Sequence, residues 1–253
     1  MKRGKYTILV LVITVSIIVF LLLNLLLGSV AIPFASVWNI LTGGEGDPVA
    51  WQNIILKSRL PQALTALVAG AGLSISGLQM QTIFRNPLAG PSVLGISSGA
   101  SLGVAFVVLL SGQLGGVALS RLGFIGEVAL SIAAVVGALS VMGLIVLASR
   151  KVAGSVTLLI IGVMIGYIAN AVIGVLKFFS VEEDIKAYVI WGLGSFARVS
   201  GNQMMLFVTI MAVIIPLSFL LIKPLNLLML GDGYARNLGL NINRARMWVI
   251  TCA

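Results

Sequence analysis

The sequence predicts an all-α membrane protein, a polytopic bundle of transmembrane helices forming one domain over residues 1–253. Composition is the first reason: 59% of the residues are hydrophobic and 9% are charged, more apolar surface than a water-soluble core of this size can bury. Pattern is the second reason, because the apolar residues form runs of about 20, the length that one helix needs to cross a bilayer.

Six such runs follow one another along the chain. We place the spans at Tyr6–Leu27, Pro61–Phe84, Ser92–Leu110, Gly123–Ser149, Val156–Phe179 and Met204–Ile222. The first run is longer than the core of a cleaved signal peptide, which has about 7 to 15 residues, and we expect it to be retained. A seventh span begins at Met247 and reaches only Ala253, which is too short to cross hydrocarbon. We therefore expect a chain truncated towards its carboxyl end, within this span.

Charged residues are distributed unequally between the two sides of these spans. With the amino terminus in the cytoplasm, the inner segments hold ten basic residues and one acid, Asp232, while the outer segments hold six of each. This excess follows the positive-inside rule and accounts for the whole formal net charge of +9. The basic residues are scattered singly between apolar runs, so no nucleic-acid partner is expected.

Several kinds of chemistry are excluded by the residues that are missing. The chain has no histidine and one cysteine, Cys252, which argues against a zinc site, a disulfide framework and a Cys/His nucleophile, and no cofactor is expected. A membrane-embedded enzyme is set aside for the same reasons. An ion-coupled secondary transporter remains the alternative function. Such coupling usually needs an ionisable group inside the membrane, whereas all seven acids lie in loops or at span edges, with Glu127 nearest to an exception.

Two outer segments are too long or too polar to be simple connections or full spans. The first, Gly28–Leu60, contains an amphipathic stretch with Trp38 and Trp51. The second, Ser180–Gln203, begins with acids and continues with glycines, so we expect a short helix that does not cross the membrane.

The stretch Arg85–Ser101, RNPLAGPSVLGISSGAS, joins two spans on the predicted inner side. Its prolines, Pro87 and Pro91, break the helix so that the chain can reverse. The elbow and the small residues after it are candidates for the transport path: Arg85, Asn86, Pro87, Gly95, Ser97, Ser98 and Gly99. A tight helix-packing contact would use the same small residues. Asn170, an amide in the middle of the fifth span, faces either a path or a neighbouring helix.

The inner segment Lys223–Arg246 contains the second informative stretch, GDGYARNLGLNINRAR. Gly231 and Gly233 punctuate a turn, Asp232 is predicted to cap a following helix, and Tyr234–Leu238 gives one to two helical turns that Gly239 ends. A short helix of this kind on the cytoplasmic face can be gripped by another protein. A solvated loop kept basic for topology explains the same residues.

Four motifs in order give the chain a family resemblance. They are SRLPQALTALVAGAGLSISGLQMQ (Ser58–Gln81), RNPLAGPSVLGISSGAS (Arg85–Ser101), WGLGSF (Trp191–Phe196) and GDGYARNLGL (Gly231–Leu240). With these motifs the chain resembles the FecCD family of ABC importer permeases, which serve ferric siderophores, haem and cobalamin. The resemblance implies the type II ABC importer permease fold, with more spans than the six predicted here, in a bacterial plasma (inner) membrane.

The resemblance also implies partners and site residues. Two permease subunits, identical or close paralogues, would surround one path, and cytoplasmic ABC ATPase subunits would hydrolyse the ATP that drives alternating access. This chain has no G-x-x-x-x-G-K-[ST] motif for holding nucleotide itself. The loop implied to enter the ATPase comprises Gly231, Asp232, Gly233, Ala235, Arg236, Leu238 and Gly239.

An extracytoplasmic substrate-binding protein is the third implied partner. Arg59 matches the first arginine of the RLPR motif, through which such permeases pair with acids of the binding protein. Gln62 stands in place of the second arginine, and Lys57 is a possible substitute.

Overall fold

The computed structural model describes residues 2–44, 48–111, 124–151, 155–197, 199 and 201–253. These residues form α1 (Lys2–Leu26), α2 (Phe34–Leu41), α3 (Val49–Ile54), α4 (Leu60–Phe84), α5 (Ile96–Ser111), α6 (Phe124–Lys151), α7 (Ser155–Phe179), α8 (Glu182–Gly192), α9 (Gly201–Phe219), α10 (Ile222–Met229), α11 (Asp232–Asn237) and α12 (Ile242–Cys252). A π-helical turn, Ile55–Arg59, joins α3 to α4, and a 3₁₀ turn, Pro91–Leu94, precedes α5.

Five helical stretches in the described part of the chain are long and apolar enough to cross a membrane. They are Gly4–Leu26, Val49–Phe84, Val128–Ala148, Val156–Phe179 and Gly201–Phe219. Each overlaps a predicted span, which confirms a polytopic, helical membrane fold. The predicted third span, Ser92–Leu110, is a shorter apolar helix, Ile96–Leu110, because its first residues form the 3₁₀ turn. The predicted total of six spans is therefore not confirmed.

The second span begins earlier than predicted. The structure shows α3, the π-helical turn and α4 as one helical stretch of 36 residues, Val49–Phe84, so Pro61 lies within a helix and not at its start. The wider π turn lies directly before Pro61, and the Leu60 amide donates to the Ile55 carbonyl oxygen within it. A π turn of this kind changes the local hydrogen-bonding register, so a proline without an N–H group is accommodated and does not end the helix.

The chain divides into two compact units, Met1–Ala71 with Ser195–Ala212, and Gly72–Gly194 with Val213–Ala253. One transmembrane domain over residues 1–253 stays a prediction. In the first unit, the predicted amphipathic segment folds as α2 and α3 and encloses a small apolar core with the end of α1. The buried residues of that core are Leu25, Ile32, Val37, Ile40 and Ile55.

The second unit is organised around α5, which packs closely on α6 and α7. A Cβ atom added to Gly103 would lie 2.1 Å from the Ala133 carbonyl oxygen, and one added to Gly137 would lie 2.2 Å from the Gly99 carbonyl oxygen. Backbones this close leave room only for glycine, as small-residue stripes between membrane helices predict. The apolar core beside them includes Met80, Leu94, Ile145, Val249 and Ile250.

The short helix predicted within Ser180–Gln203 is confirmed as α8, which has 11 residues. Its first turn carries Glu182, Glu183 and Asp184, where negative charge favours the positive end of the helix dipole. Further along, Tyr188 is buried in an apolar cluster with α5 and α7, and the Lys177 ammonium lies 4.7 Å from the centre of its ring. This packing fixes α8 against the carboxyl-terminal half of α5.

Candidate functional site

The elbow after α4 is a helix C-terminus in which an arginine takes the position usually held by glycine. Arg85 has φ 47°, in the left-handed region, and the next amide, that of Asn86, donates to the Gln81 carbonyl oxygen at 3.2 Å. The Asn86 side chain then accepts a hydrogen bond from the Leu88 amide at 2.9 Å. The helix ends here because Pro87 disfavours helical geometry at the residue before it. The predicted break in the helix is thus present at Arg85–Pro87.

The Arg85 guanidinium points to the second informative stretch. Its Nη2 donates to Asp232 Oδ1 at 2.9 Å and to the Leu228 carbonyl oxygen at 3.2 Å. Arg246 Nη2 donates to the other oxygen, Asp232 Oδ2, at 2.8 Å. We call these three residues the Asp232 cluster: one carboxylate shared by two arginines from different parts of the chain. The Arg85 and Asp232 side chains are 49% and 42% exposed, and that of Arg246 is 11% exposed.

The predicted capping role of Asp232 is wrong. The helix α11 begins at Asp232 itself, its N-cap is Gly231 with φ 114°, and there is no side-chain capping hydrogen bond. A carboxylate can cap only from the residue before the first turn, where it reaches the free amides of that turn. One residue further on, Asp232 turns its two oxygens to the arginines instead.

The predicted short helix is present, and it ends at Gly239 as expected. Gly239 has φ 84°, its amide donates to the Arg236 carbonyl oxygen at 3.0 Å, and the Leu240 amide donates to the Ala235 carbonyl oxygen at 2.9 Å. This is a Schellman C-terminus, for which glycine is the preferred residue. The helix starts two residues before the predicted Tyr234 because Gly231 provides the turn.

One face of α11 is anchored and the other is open. Ala235 is completely buried, whereas Tyr234 and Leu238 are 71% and 61% exposed. Gly233, Arg236 and Gly239 are also exposed. This six-residue helix therefore buries one small side chain and presents an aromatic and a leucine side chain as an exposed apolar surface.

Residues 223–246, predicted to be a loop around one short helix, include parts of two further helices that flank α11. These are α10, and α12 with Asn241 as its N-cap, whose side chain accepts a hydrogen bond from the Arg244 amide at 3.1 Å. Asparagine is a favoured N-cap residue and is the signal that marked this start. The apolar segment predicted to begin at Met247 therefore begins within a helix that starts at Ile242.

The candidate path residues separate into two groups. Gly95 has φ 75°, and an added Cβ would lie 2.7 Å from the Gly162 carbonyl oxygen; a Cβ on Gly99 would lie 2.7 Å from the Gly137 carbonyl oxygen. These two glycines serve helix packing, the alternative that the sequence left open. The side chains of Ser97 and Asn170 are exposed, and that of Ser98 is partly exposed. The polar residues are thus still available to line a path.

An apolar cavity of about 700 Å³ lies beside the same helices, between α5, α6 and α7. Its lining includes Phe106, Ile132, Val136 and Ile168, with Ser140 as a hydroxyl side chain among them. Binding pockets for polar ligands present several convergent polar groups. This cavity does not have that character, so we do not assign it to a polar cargo.

The predicted docking residue Arg59 lies inside the first unit. It is only 6% exposed, and its Nη1 donates to the carbonyl oxygens of Leu25 at 2.6 Å and Leu26 at 3.0 Å. Its Nη2 donates to the Val30 carbonyl oxygen. A cation at the carboxyl end of α1 balances the negative end of the helix dipole and satisfies carbonyls that the helix leaves free. Docking by Arg59 stays a prediction, and this geometry does not favour it.

Two residues near Arg59 in the sequence, Lys57 and Gln62, differ from it in exposure. Lys57, the suggested substitute, is exposed. Gln62, which stands in place of the second arginine of the motif, hydrogen-bonds through Nε2 to Ser58 Oγ at 2.9 Å. Of the side chains of Lys57, Arg59 and Gln62, that of Lys57 is the most exposed.

Comparisons with known proteins agree with one another. The model of the FecCD transport family matches residues 16–253. A protein assigned as an iron chelatin transport system permease of Helicobacter pylori is 39% identical over 202 residues, covering 79% of this chain and 57% of the relative. The hemin transport system permease HmuU of Yersinia pestis is 31% identical over 222 residues, covering 87% of this chain and 63% of the relative.

Further comparisons extend this result to vitamin B12 permeases and to a solved structure. The vitamin B12 import system permease BtuC of Klebsiella pneumoniae is 34% identical over 228 residues, covering 90% of this chain and 62% of the relative. An ABC transporter assigned to the metal-chelate type, solved in an inward-facing conformation, superposes with a TM-score of 0.79 at 26% identity, over 98% of this chain and 72% of that one. The chain thus spans roughly 57% to 63% of the length of these curated relatives.

Proposed function

The chain belongs to the FecCD transport family, and on that premise we propose that it is a permease subunit of an ATP-binding-cassette importer. The cargo would be a metal chelate: a ferric siderophore, haem or cobalamin. Relatives named for iron chelatin, hemin and vitamin B12 transport support this cargo class. Their similarity does not favour one of the three compounds over the others.

The observation that carries the proposal is the form of α11. An importer whose ATP is hydrolysed on a separate subunit needs a small, firmly anchored element that a cytoplasmic partner can grip. In α11, the buried Ala235 provides the anchor, and the exposed Tyr234 and Leu238 provide apolar contact area. Arg236 adds a positive charge to the exposed side, which would favour an acidic cleft in the partner.

Three kinds of partner follow from this function. Cytoplasmic ATPase subunits would bind α11 and hydrolyse ATP, because this chain has no phosphate-binding loop. A second permease subunit, identical or a close paralogue, would complete the path. A substrate-binding protein would deliver the cargo on the extracytoplasmic side. The amino terminus would lie in the cytoplasm of a bacterium, with the spans in its inner membrane, as the excess of inner basic residues indicates.

The transport step would be alternating access. Movement of the ATPase would displace α11 and the elbow, and the helices that follow would open the path to one side at a time. Ser97, Ser98 and Asn170 would offer weak polar contacts to the passing chelate. Hydroxyl and amide groups suit this role because they bind a polar ligand without the strong hold of a charge.

Docking of the binding protein would use Lys57 in preference to Arg59. The Lys57 ammonium is exposed, whereas the Arg59 guanidinium is buried and donates to three main-chain carbonyl oxygens. An exposed ammonium can pair with an acid of the partner without breaking contacts in its own chain. It would mainly set the rate of encounter and its dependence on salt.

The function is tested with the assembled transporter in proteoliposomes, containing the ATPase and the loaded binding protein. We expect uptake of a metal chelate that requires ATP inside the vesicle. Tyr234→Ala should lower binding-protein-stimulated ATP hydrolysis at least about tenfold, because removing a central exposed aromatic from such an interface costs about 2 kcal/mol or more. Tyr6→Ala is the matched control, since Tyr6 is 66% exposed but lies on α1. Uptake driven by an ion gradient without ATP would overturn the proposal.

A further inference from the structure

The Asp232 cluster joins three parts of the second unit that are distant in sequence. Arg85 belongs to the elbow after α4, Asp232 is the first residue of α11, and Arg246 lies on α12. The elbow and α11 are 147 residues apart, and the two arginines occupy different oxygens of one carboxylate, at 2.9 Å and 2.8 Å. A single side chain therefore connects the surface proposed for the ATPase with the turn that leads into α5.

Neither helix capping nor membrane topology explains why an acidic residue stands at position 232. Asp232 makes no capping hydrogen bond. It is also the only acid counted on the predicted inner side, where the positive-inside rule needs none. Arg85 holds a left-handed backbone conformation that is strained for any residue other than glycine. Glycine would take that conformation without cost, but it would lack the guanidinium that reaches Asp232.

A continuous series of contacts leads from the cluster to the path helices. The Arg85 guanidinium also donates to the Leu228 carbonyl oxygen, at the end of α10. From Arg85 the chain runs through the elbow and the 3₁₀ turn to Gly95, whose Cα lies against the backbone of α7 near Gly162 and Gly166. The next residue begins α5. The elbow between α4 and α5 is a short turn held by hydrogen bonds from the Leu88 and Ala89 amides to Asn86, at 2.9 Å and 3.0 Å, so a displacement of α11 has a short route to α5 and α7.

We propose that Asp232 is a positioning residue that transmits the movement of α11 to the elbow through its ion pairs with Arg85 and Arg246. This inference rests on the proposed function. When a partner moves α11, the carboxylate would carry Arg85 with it and turn the start of α5 against α7. Arg246 would keep the carboxylate aligned, because its side chain is mostly buried and α12 holds it in place.

The strength of the ion pairs suits this role. The shared carboxylate is 42% exposed, so water weakens both pairs and the cluster is too weak to hold the fold together. It is strong enough to bias two arrangements that differ little in free energy, as coupling between sites requires. Loss of Asp232 should thus separate ATP hydrolysis from transport while leaving the protein folded.

The test measures chelate transported per ATP hydrolysed by the assembled transporter in proteoliposomes, together with the yield of assembled complex. For Asp232→Asn, which keeps the shape and removes the charge, we expect normal assembly, ATP hydrolysis within about twofold of the unchanged protein and about a fivefold or greater fall in transport per ATP. Asp232→Glu should restore part of the loss. Glu182→Gln, at an exposed acid on α8, is the control and should change neither quantity.

A double substitution tests the link to the elbow. Arg85→Gln should lower transport per ATP, and the double variant should be no worse than Asp232→Asn alone, because Asp232→Asn already breaks the ion pair with Arg85. Unchanged transport per ATP in Asp232→Asn would overturn the inference. So would a parallel loss of assembly and of both rates in Asp232→Asn and Arg85→Gln, which would indicate a structural role. If the unchanged protein shows no ATP-driven uptake, the proposed function itself fails.

Discussion

Arg59 and Arg85 flank α4 in the sequence, and the chain uses them in opposite ways. Arg59 is buried, and its three acceptors are main-chain carbonyl oxygens around the end of α1. Arg85 is half exposed, and its closest acceptor is a carboxylate that it shares with Arg246. Main-chain acceptors at a helix end stay with the helix, whereas a shared carboxylate can exchange partners. Arg59 therefore contributes to the stability of the fold, whereas Arg85 can change its contacts when neighbouring elements move.

The expected free energies support the same distinction between Arg59 and Arg85. Removing a charged donor from buried acceptors leaves those acceptors without a partner, at about 1 to 3 kcal/mol for each group. Removing one partner of an exposed ion pair costs about 1 kcal/mol or less, because water replaces the contact. Two arginines in neighbouring family motifs should therefore differ severalfold in their effect on stability.

The largest expected effect is on stability at Arg59. Arg59→Ala should lower the free energy of unfolding by about 3 kcal/mol, because it removes the guanidinium donor of the Leu25 and Val30 carbonyl oxygens and leaves the Leu26 carbonyl oxygen with only the Ile32 amide at 3.4 Å. Arg85→Ala should lower it by about 1 kcal/mol or less. Thermal unfolding of the purified protein in detergent measures both, and a loss of 3 kcal/mol corresponds to about 10 °C in Tm.

Arg59→Lys is the control for charge at this position. It keeps a cation at the end of α1 but not the planar fork, so its Tm should fall between those of the unchanged protein and Arg59→Ala. Equal Tm values for Arg59→Ala and Arg85→Ala would remove the distinction between the two regions.

A smaller effect is expected at Gly28, the residue that makes room for the Arg59 guanidinium. A Cβ atom at Gly28 would lie 2.7 Å from Arg59 Nη2, so Gly28→Ala must displace a buried, hydrogen-bonded group. We expect a loss of about 1 kcal/mol in unfolding free energy. In an Arg59→Ala background the same change should cost almost nothing, since the guanidinium is gone.

Gly143→Ala is the control for the pair of substitutions at Gly28 and Arg59. A Cβ atom there would meet nothing within 4 Å, and Gly143 lies inside α6, where alanine is the better helix former. This change should be neutral or stabilising. Additive costs for Gly28→Ala and Arg59→Ala would mean that the guanidinium does not occupy the space beside Gly28.

The sequence predicted the parts of this molecule that depend on local signals. Apolar runs located five membrane-crossing helices, and Gly239 located the end of α11. The roles of the two arginines depend on partners that local patterns do not reveal. Arg59 meets carbonyl oxygens 29 to 34 residues earlier in the chain, and Arg85 meets an acid 147 residues later. A motif match supplied the residues of interest but could not say which of them is buried.

The smallest effect on stability is expected at Lys57. A substitution there tests docking without disturbing the contacts that Arg59 makes within the fold. Lys57→Glu should change the free energy of unfolding by about 0.5 kcal/mol or less, because the side chain is exposed. It should weaken binding of the substrate-binding protein about fivefold or more at low salt, and the difference should shrink as salt screens the charges. Lys5→Glu, an exposed lysine near the amino terminus, is the matched control and should bind normally. Surface plasmon resonance across a salt series measures the affinity for the substrate-binding protein. Unchanged affinity at every salt concentration would leave the proposed docking contact without a candidate in the π-helical turn.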